Sequence, residues 1–178
     1  HFGGSDSFSV DITKFVEAGK KHSLVVSAQS DLRAGRQSAG KQSLRNDPFE
    51  CMYTRTTGIW QTVWMEAVAP TALKRVKITP DVDRSQVAME FTMRRNAAGN
   101  TLTINVLDGK KVVATETAAV ASGSITSLPI KKAKLWSPES PFLYDVEFIL
   151  KNRAGEVIDQ VKSYFGMRKI HTEGNKIY

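Results

Sequence analysis

The sequence predicts an all-β protein, because apolar and polar residues alternate along most of its 178 residues. No segment shows a sustained helical repeat, which a helical protein of this length would need. Turn-forming pairs such as Asp108-Gly109 and Ala154-Gly155 separate alternating segments and predict hairpins. The hydrophobic content of 41% is enough to bury a core, so a disordered chain is not expected.

The first region contains two alternating segments followed by a long irregular one. SFSVDIT, residues 7–13, places Phe8 and Val10 on one face and predicts a half-buried strand. HSLVVSA, residues 22–28, predicts the next strand. Residues 29–52 show no sustained period, and an irregular stretch of that length in a compact domain tends to be functional or disordered. This irregular stretch is therefore a candidate for function.

Alternation returns in GIWQTVWMEAVA, residues 58–69, which predicts a third strand. Trp60 and Trp64 fall on one face, and Val63 and Met65 fall on the other. Because both faces carry apolar bulk, we expect the strand to be covered at least in part on both sides. The two tryptophans are accordingly expected mainly to pack, with stacking on a sugar ring as the alternative.

A second series of strands begins after the break at Ala69-Pro70-Thr71. Its seven segments are LKRVKIT (73–79), QVAMEFTM (86–93), TLTINVL (101–107), KVVATET (111–117), SITSLPI (124–130), YDVEFIL (144–150) and EVIDQVKSYF (156–165). Seven short strands match the count of an immunoglobulin-like sandwich, although the two cysteines of an antibody domain are missing.

The charge pattern argues against a nucleic-acid partner despite a net charge of +7. The basic residues mostly do not cluster. Four short pairs stand at predicted strand ends or turns, where they are solvated and lysine discourages edge-to-edge pairing of sheets: Lys20-Lys21, Arg94-Arg95, Lys110-Lys111 and Lys131-Lys132. One irregular segment carries a looser group of cations, namely Arg33, Arg36, Lys41 and Arg45.

Metal, disulfide and membrane roles are also disfavoured. Cys51 is the single cysteine, which excludes an intrachain disulfide, and the three histidines lack metal-ligand spacing. We expect no metal and no cofactor. No apolar run approaches the length of a membrane helix, so no membrane partner is expected. The start HFGGSDSF does not resemble a signal peptide. The chain also lacks an initiating methionine, so we expect a fragment or a processed product, and a periplasmic and a cytoplasmic location both stay open.

Four segments together resemble the family 2 glycoside hydrolases, which include β-galactosidases, β-glucuronidases and β-mannosidases. These segments are GGSDSFSVDIT, YTRTTGIWQTVWMEAV, KLWSPESPFLYDVEF and SYFGMRKI, in the family's order. The resemblance implies that residues 1–69 are the C-terminal part of a jelly-roll sugar-binding domain. It also implies an immunoglobulin-like β-sandwich at 70–168 and, at 169–178, the lead-in to a (β/α)₈ barrel.

The same resemblance places catalysis outside this chain. Retaining hydrolysis needs two carboxyl groups about 5 Å apart, and in the family both are glutamates on barrel strands, beyond residue 178. We therefore expect no catalytic residue here and no hydrolase activity of the chain alone. The parent resembles a retaining exo-β-galactosidase, whose partners are a β-glycoside and its own barrel.

The resemblance also suggests where the chain contacts sugar. In several members an acidic residue just before the segment matching RTTGI contacts the sugar, but Met52 stands there in this sequence. Asp47 and Glu50 are near enough to substitute, and Arg55 is suited to orient a carboxylate or hydroxyl. These three form the predicted substrate-binding set. For Arg55, a buried structural ion pair is the alternative.

Two other functions remain open at this point. The chain is either part of a glycosidase, an autonomous carbohydrate-binding module, or a β-sandwich that serves only assembly. A jelly roll has about eight strands, and only about three precede Pro70. We therefore expect an exposed edge or apolar face in the first region, which favours a homo-oligomer.

Overall fold

The computed structural model describes residues 1–34 and 37–178. The chain divides into two compact units, His1–Met65 and Glu66–Tyr178. They are called unit 1 and unit 2 below, and each is described by itself.

Seven of the nine strands of unit 2 form two antiparallel sheets. The strands are β1 (Leu73–Asp81), β2 (Gln86–Met93), β3 (Thr101–Asp108), β4 (Lys111–Ala119), β5 (Ile125–Pro129), β6 (Tyr144–Lys151) and β7 (Val157–Phe165). One sheet has the order β1-β2-β5 and the other has the order β4-β3-β6-β7. A short terminal hairpin follows, made of β8 (Thr172–Glu173) and β9 (Lys176–Ile177).

The core of unit 2 lies between the two sheets. Alternate residues of β2, β3 and β6 are buried, as the period of two predicts. The rings of Phe91 from β2 and Phe148 from β6 meet edge to face, with centroids 6.0 Å apart, and each side chain is 1% exposed. The two apolar faces therefore cover each other, which stabilises both sheets.

The seven strand predictions for this unit are confirmed. Each of the seven predicted segments forms a strand, and the all-β fold class is correct. The two turns predicted from glycine are also present: β3 and β4 meet at Gly109, and β6 and β7 meet at Gly155. Both glycines have positive φ, 60° and 84°, which glycine adopts without a steric penalty.

Contacts with the residues that follow β7 hold Trp136 in place. Its backbone N–H donates to the Met167 carbonyl at 3.0 Å, and the Arg168 guanidinium lies 4.7 Å from the ring centroid. A Cβ at Gly166 would come within 3.1 Å of the Trp136 Cβ, so glycine permits this close approach. The side chain is half-buried against the segment that follows β7.

Unit 1 differs from the sequence prediction. Within its described residues there is no strand, only a 3₁₀ turn at Thr13–Phe15 and two isolated bridges, Gln42 with Tyr53 and Phe49 with Met52. The strands predicted at 7–13, 22–28 and 58–69 are therefore wrong for this chain. Alternation sets which face of a segment is apolar, but a strand also needs a neighbouring backbone to pair with.

The apolar residues of those segments are consequently exposed. Trp60 is 73% exposed and Trp64 is 70% exposed, so the expectation that they pack is also wrong for this chain. The Trp60 Nε1–H donates to the Gly4 carbonyl at 3.0 Å, a contact that leaves most of the ring in solvent. Other exposed apolar residues of unit 1 are Phe8, Val10, Leu24, Val25, Val26, Ile59, Val63 and Met65. The exposure of apolar residues in the first region agrees with the sequence analysis, although these residues do not lie on strands.

No helix in the part of the chain that the structure describes is long and apolar enough to cross a membrane.

Candidate functional site

All three predicted substrate-binding residues lie on one loop of unit 1, residues 41–56, which is called the 41–56 loop below. Its two arms are joined by backbone hydrogen bonds, because the Ser43 N–H donates to the Tyr53 carbonyl and the Tyr53 N–H donates to the Lys41 carbonyl, each at 2.7 Å. The Thr56 N–H donates to Gln42 Oε1 at 3.0 Å. These contacts define the loop without a regular sheet.

Ser43 organises the interior of the loop. Its side chain is fully buried. The Ser43 hydroxyl donates to the Asp47 carbonyl at 2.8 Å and accepts from the Arg45 N–H at 3.0 Å. A small hydroxyl that bonds nearby backbone groups favours a turn over a strand. Ser43 therefore holds the SLRND segment in place, and this serine was not singled out from the sequence.

Glu50 lies at the tip of the 41–56 loop in a strained conformation. Phe49 and Met52 exchange backbone hydrogen bonds of 3.1 and 2.8 Å, which closes a tight turn around Glu50 and Cys51. Glu50 has a φ of 49°, a left-handed value uncommon for a residue with a Cβ. The turn directs an exposed glutamate into solvent, and its backbone strain costs about 1 kcal/mol.

Asp47 and Arg55 lie on the two arms of the same loop. The Asp47 side chain is exposed, while its carbonyl accepts the Ser43 hydroxyl. The half-buried Arg55 donates from Nη2 to Asn46 Oδ1 at 3.1 Å. Among the described residues no carboxylate lies within ion-pair distance of Arg55, so the alternative of a buried ion pair is not present. Asn46 was missed as the residue that orients this arginine.

Met52, which occupies the position of the expected acid, has a structural role. It is half-buried and supplies both backbone groups that close the turn with Phe49. The Arg45 guanidinium lies 3.9 Å from the centroid of the Phe49 ring, a cation–π contact on the same turn. Of the two candidate acids, Asp47 therefore precedes the turn that Phe49 and Met52 close, and Glu50 lies within it.

The group of cations expected in the irregular segment is only partly described. Arg36 lies outside the described residues. Near Arg33, Asp31 Oδ1 accepts the N–H groups of Arg33 at 3.1 Å and Ala34 at 3.2 Å, which forms a local turn. Lys41 and Arg45 are exposed members of the 41–56 loop. The described contacts do not bring these cations into one site.

Asp83 and Glu139 each have a pKa below the ordinary value of a carboxyl group. The hydrogen bond and charge of Lys169 lower the pKa of Asp83, whose Oδ2 lies 2.6 Å from Nζ. Hydrogen bonds from its own backbone N–H and from Ser137 lower the pKa of Glu139. A general acid for glycoside hydrolysis needs the opposite shift, a raised pKa. Neither group is suited to that role.

Metal ligation was also considered. In the regions for which positions are described, no group of three or more His, Cys, Asp or Glu residues is placed to hold a metal ion. Cys51 is an exposed free thiol at the tip of the 41–56 loop.

Comparison with known proteins places this geometry in a family. The family model for glycosyl hydrolases family 2 matches residues 71–168, which include β1 to β7. A putative β-glucuronidase from Formosa agariphila is 28% identical over 175 residues, covering 94% of this chain and 20% of that protein. A β-glucuronidase from Bacteroides fragilis is 28% identical over 195 residues, covering 99% of this chain and 26% of that protein.

More distant similarities agree. A β-galactosidase from Oenococcus oeni is 24% identical over 176 residues, covering 90% of this chain and 16% of that protein. The solved structure of a β-glucuronidase from Ruminococcus gnavus in complex with D-glucaro-d-lactam has a TM-score of 0.50 and 19% identity. That structural match covers 63% of this chain and 18% of the other, and it supports the fold alone. The family model matches more than half of the chain, and the chain belongs to family 2 of the glycosyl hydrolases.

Proposed function

We propose that this chain is the non-catalytic part of a retaining family 2 glycosidase that acts on β-glycosides. In this proposal unit 2 orients a catalytic barrel, and the 41–56 loop forms part of the rim of the sugar pocket. The observation that carries the proposal is the family match over residues 71–168, in a chain that spans 20% and 26% of the length of two curated relatives.

The domain assignment supports this role. Seven strands in sheets of three and four agree with the immunoglobulin-like sandwich proposed for residues 70–168. The exposed apolar residues of unit 1 agree with a jelly roll of which only part lies within residues 1–69. We propose that residues 169–178, which contain the β8–β9 hairpin, lead toward the barrel.

The substrate class follows from the relatives, whose names divide between two sugars. The relatives from Formosa agariphila and Bacteroides fragilis are named β-glucuronidases, and the one from Oenococcus oeni is named a β-galactosidase. We propose a β-linked glucuronide or galactoside as the substrate, which widens the β-galactosidase expectation drawn from the sequence.

Within the 41–56 loop, Glu50 and Asp47 are the proposed sugar contacts. Exposed carboxylates accept hydrogen bonds from sugar hydroxyls, and an arginine held by Asn46 donates to a hydroxyl or to a uronate carboxylate. The strained turn at Glu50 supports a functional interpretation, because left-handed non-glycine residues recur at ligand-binding positions.

The test compares this chain with the protein encoded by the uninterrupted reading frame around it. We expect the longer protein to hydrolyse nitrophenyl β-glucuronide or β-galactoside and the 178-residue chain to give no rate above the blank. Turnover by the chain alone, with contaminating enzyme excluded, would refute a non-catalytic role. A longer protein that cleaves neither substrate would refute the substrate class.

The rim is tested in the longer protein by Asp47→Asn, Glu50→Gln and Arg55→Met. Loss of one hydrogen bond to a charged group is expected to raise KM about tenfold for at least one variant, with little change in kcat. Glu17→Gln is the matched control, since Glu17 is an exposed carboxylate of unit 1 paired with Lys20 at 2.5 Å. Unchanged KM in all three rim variants would exclude the 41–56 loop from the pocket.

A second candidate function, an autonomous carbohydrate-binding module, is favoured by the exposed Trp60 and Trp64 rings. Flat, exposed aromatic rings are suited to stack on sugar faces. Titration calorimetry of the chain with galactose, glucuronate and mannose tests this: a module binds one of them weakly and loses it in Trp60→Ala, whereas a rim fragment binds none. A concentration-dependent oligomer without sugar binding would instead favour the assembly role.

A further inference from the structure

The outer face of the β1-β2-β5 sheet carries a group of cations that the proposed function does not use. Val76 and Ile78 of β1 pack against the core, so Arg75 and Lys77 project from the opposite face. Met93, the last residue of β2, is buried. The next residue, Arg94, continues the pairing with the chain before β1, because its N–H donates to the Ala72 carbonyl at 2.9 Å. The Arg94 side chain therefore projects from the outer face. The name basic face is used below for Arg75, Lys77 and Arg94, with Lys74 and Arg95 beside them.

These cations are exposed and lack ion pairs. Among the residues with described positions, no carboxylate lies within 4.0 Å of any of the five. Four other cations of unit 2, namely Arg84, Lys134, Lys162 and Lys169, do have ion pairs, as in Lys134 with Asp108 at 2.5 Å. Asp159, which lies near the start of β1, accepts the Leu73 N–H at 2.8 Å. The positive charge of the basic face is thus left for an external partner or for solvent.

Protection of a sheet edge does not account for the whole group. Lysine on an edge strand discourages pairing with another sheet, and β1 is an edge strand. Arg94, however, directly follows β2, which is the central strand of its sheet and has no free edge. Side chains that stand perpendicular to the sheet, as Arg75 and Lys77 do, shield its face more than its edge.

The groove on this face combines cations with acceptors. Arg75, Lys77, Glu90 and Thr92 line a shallow groove, in which Arg75 is the register partner of Thr92 and Lys77 that of Glu90. Arg75 and Lys77 are spaced about 6.8 Å apart along the strand. Glu90 and Thr92 accept hydrogen bonds from hydroxyl groups, and Arg75 and Lys77 attract carboxylates. This mixture fits a ligand that carries both hydroxyls and carboxylates.

We propose that the basic face binds an acidic polysaccharide, a glycan chain that carries uronate carboxylates. The carbohydrate nature of the ligand rests on the proposed function, and its negative charge follows from the unpaired cations of the face. Such a site on unit 2 holds or steers an acidic substrate polymer through interactions that weaken as salt rises.

The test is affinity electrophoresis of the 178-residue chain through gels containing alginate, neutral dextran or oligothymidylate. We expect retardation by alginate and none by dextran. The variant Arg75→Gln/Lys77→Gln/Arg94→Gln should bind alginate about tenfold more weakly, since each exposed ion pair contributes modestly. The control variant Lys110→Gln/Lys111→Gln/Arg153→Gln removes the same charge from exposed hairpin turns of the other sheet and should bind within about twofold of the original chain.

Three outcomes would overturn the proposal: equal weakening in the two triple variants, equal retardation by dextran, or stronger binding to oligothymidylate than to alginate. The last would indicate a nucleic-acid partner. Because the assay needs no turnover, alginate binding by a protein whose longer form cleaves no glycoside would refute the proposed function while supporting the basic face.

Discussion

Units 1 and 2 begin from similar sequence patterns and reach different structures. Alternating segments such as SFSVDIT and HSLVVSA in unit 1 contain the same kinds of residues as QVAMEFTM in unit 2. In unit 2 every such segment pairs with a neighbour, and the apolar face of one sheet covers that of the other. In unit 1 the described segments have no such neighbour, and their apolar side chains are exposed. Alternation therefore favours a strand but is not sufficient to form one.

Amide hydrogen exchange should show the largest difference between the two units. Amides of the central strands β2, β3 and β6 open only with the whole sandwich, which corresponds to a protection of about a thousandfold or more. Most amides of residues 1–52 should exchange near the unprotected rate, with the hydrogen-bonded Ser43 N–H as an expected local exception. Equal protection throughout a monomer would show that unit 1 folds as firmly as unit 2.

Substituting one large core residue sharpens the comparison further. Phe148→Ala removes a ring that is 1% exposed and in contact with Phe91, and it should lower the free energy of unfolding by about 3–5 kcal/mol. Trp64→Ala is the matched change in unit 1, where the ring is 70% exposed, and it should alter stability by less than about 0.5 kcal/mol. Guanidinium unfolding followed by far-ultraviolet circular dichroism measures both. A large loss in Trp64→Ala would mean that unit 1 packs its tryptophans in solution.

A buried hydroxyl in unit 2 should have an intermediate effect. Tyr144 is 2% exposed, and its hydroxyl accepts the Lys134 N–H at 2.8 Å. Tyr144→Phe keeps the ring packed on Phe165 but leaves that N–H without its acceptor, which should cost about 1–3 kcal/mol. Tyr164→Phe is the control, because this ring is 66% exposed and should lose almost nothing. Equal unfolding midpoints for the two variants would contradict the assignment.

The smallest expected effect concerns the ion pair of Asp83 and Lys169. Lys169 lowers the pKa of Asp83 below its ordinary value of 3.8. A lowered folded-state pKa means that the pair stabilises the fold above that value and loses its contribution as the pH falls through the folded-state pKa. Both groups are exposed, so solvent screening keeps the contribution small.

Nuclear magnetic resonance titration of the Asp83 carboxyl tests this interpretation. Lys169→Met should raise the pKa of Asp83 toward 3.8, whereas Lys162→Met, which removes the partner of Glu147, should leave it unchanged. The interpretation would be wrong if the two variants shifted the Asp83 carboxyl equally.

Most of unit 2 could be predicted from the sequence, because local signals and global packing agree there. Gly109 and Gly155 mark turns in which one residue must adopt a positive φ, as glycine does readily. The buried positions of β6 follow directly from the alternation of apolar and polar residues. The exact pairing register of the strands could not be predicted from the sequence. The shift between Leu73 and Arg75 in β1, and the one between Val106 and Leu107 in β3, depend on how paired backbones fit and have no clear signal in the sequence.

The candidate site was predicted in part. The sequence analysis identified Asp47, Glu50 and Arg55, and the structure places all three on the 41–56 loop. It did not identify Ser43, and it did not foresee Asn46 as the partner of Arg55, although both residues hold that loop through short polar contacts. Serine and asparagine before Asp47-Pro48 are a turn signal, but many such segments exist, and burial of the serine hydroxyl is visible only in three dimensions.

The sequence by itself determined the all-β class, the seven strands of unit 2 and the family resemblance, because side-chain alternation and turn residues are local properties of the chain. Tertiary structure alone decided which alternating segments became strands and whether the side chains of Trp60 and Trp64 were covered. It also decided the left-handed backbone conformation of Glu50. Those outcomes depend on backbone partners and packing surfaces supplied by residues distant in the sequence, and no local pattern specifies whether such partners are present.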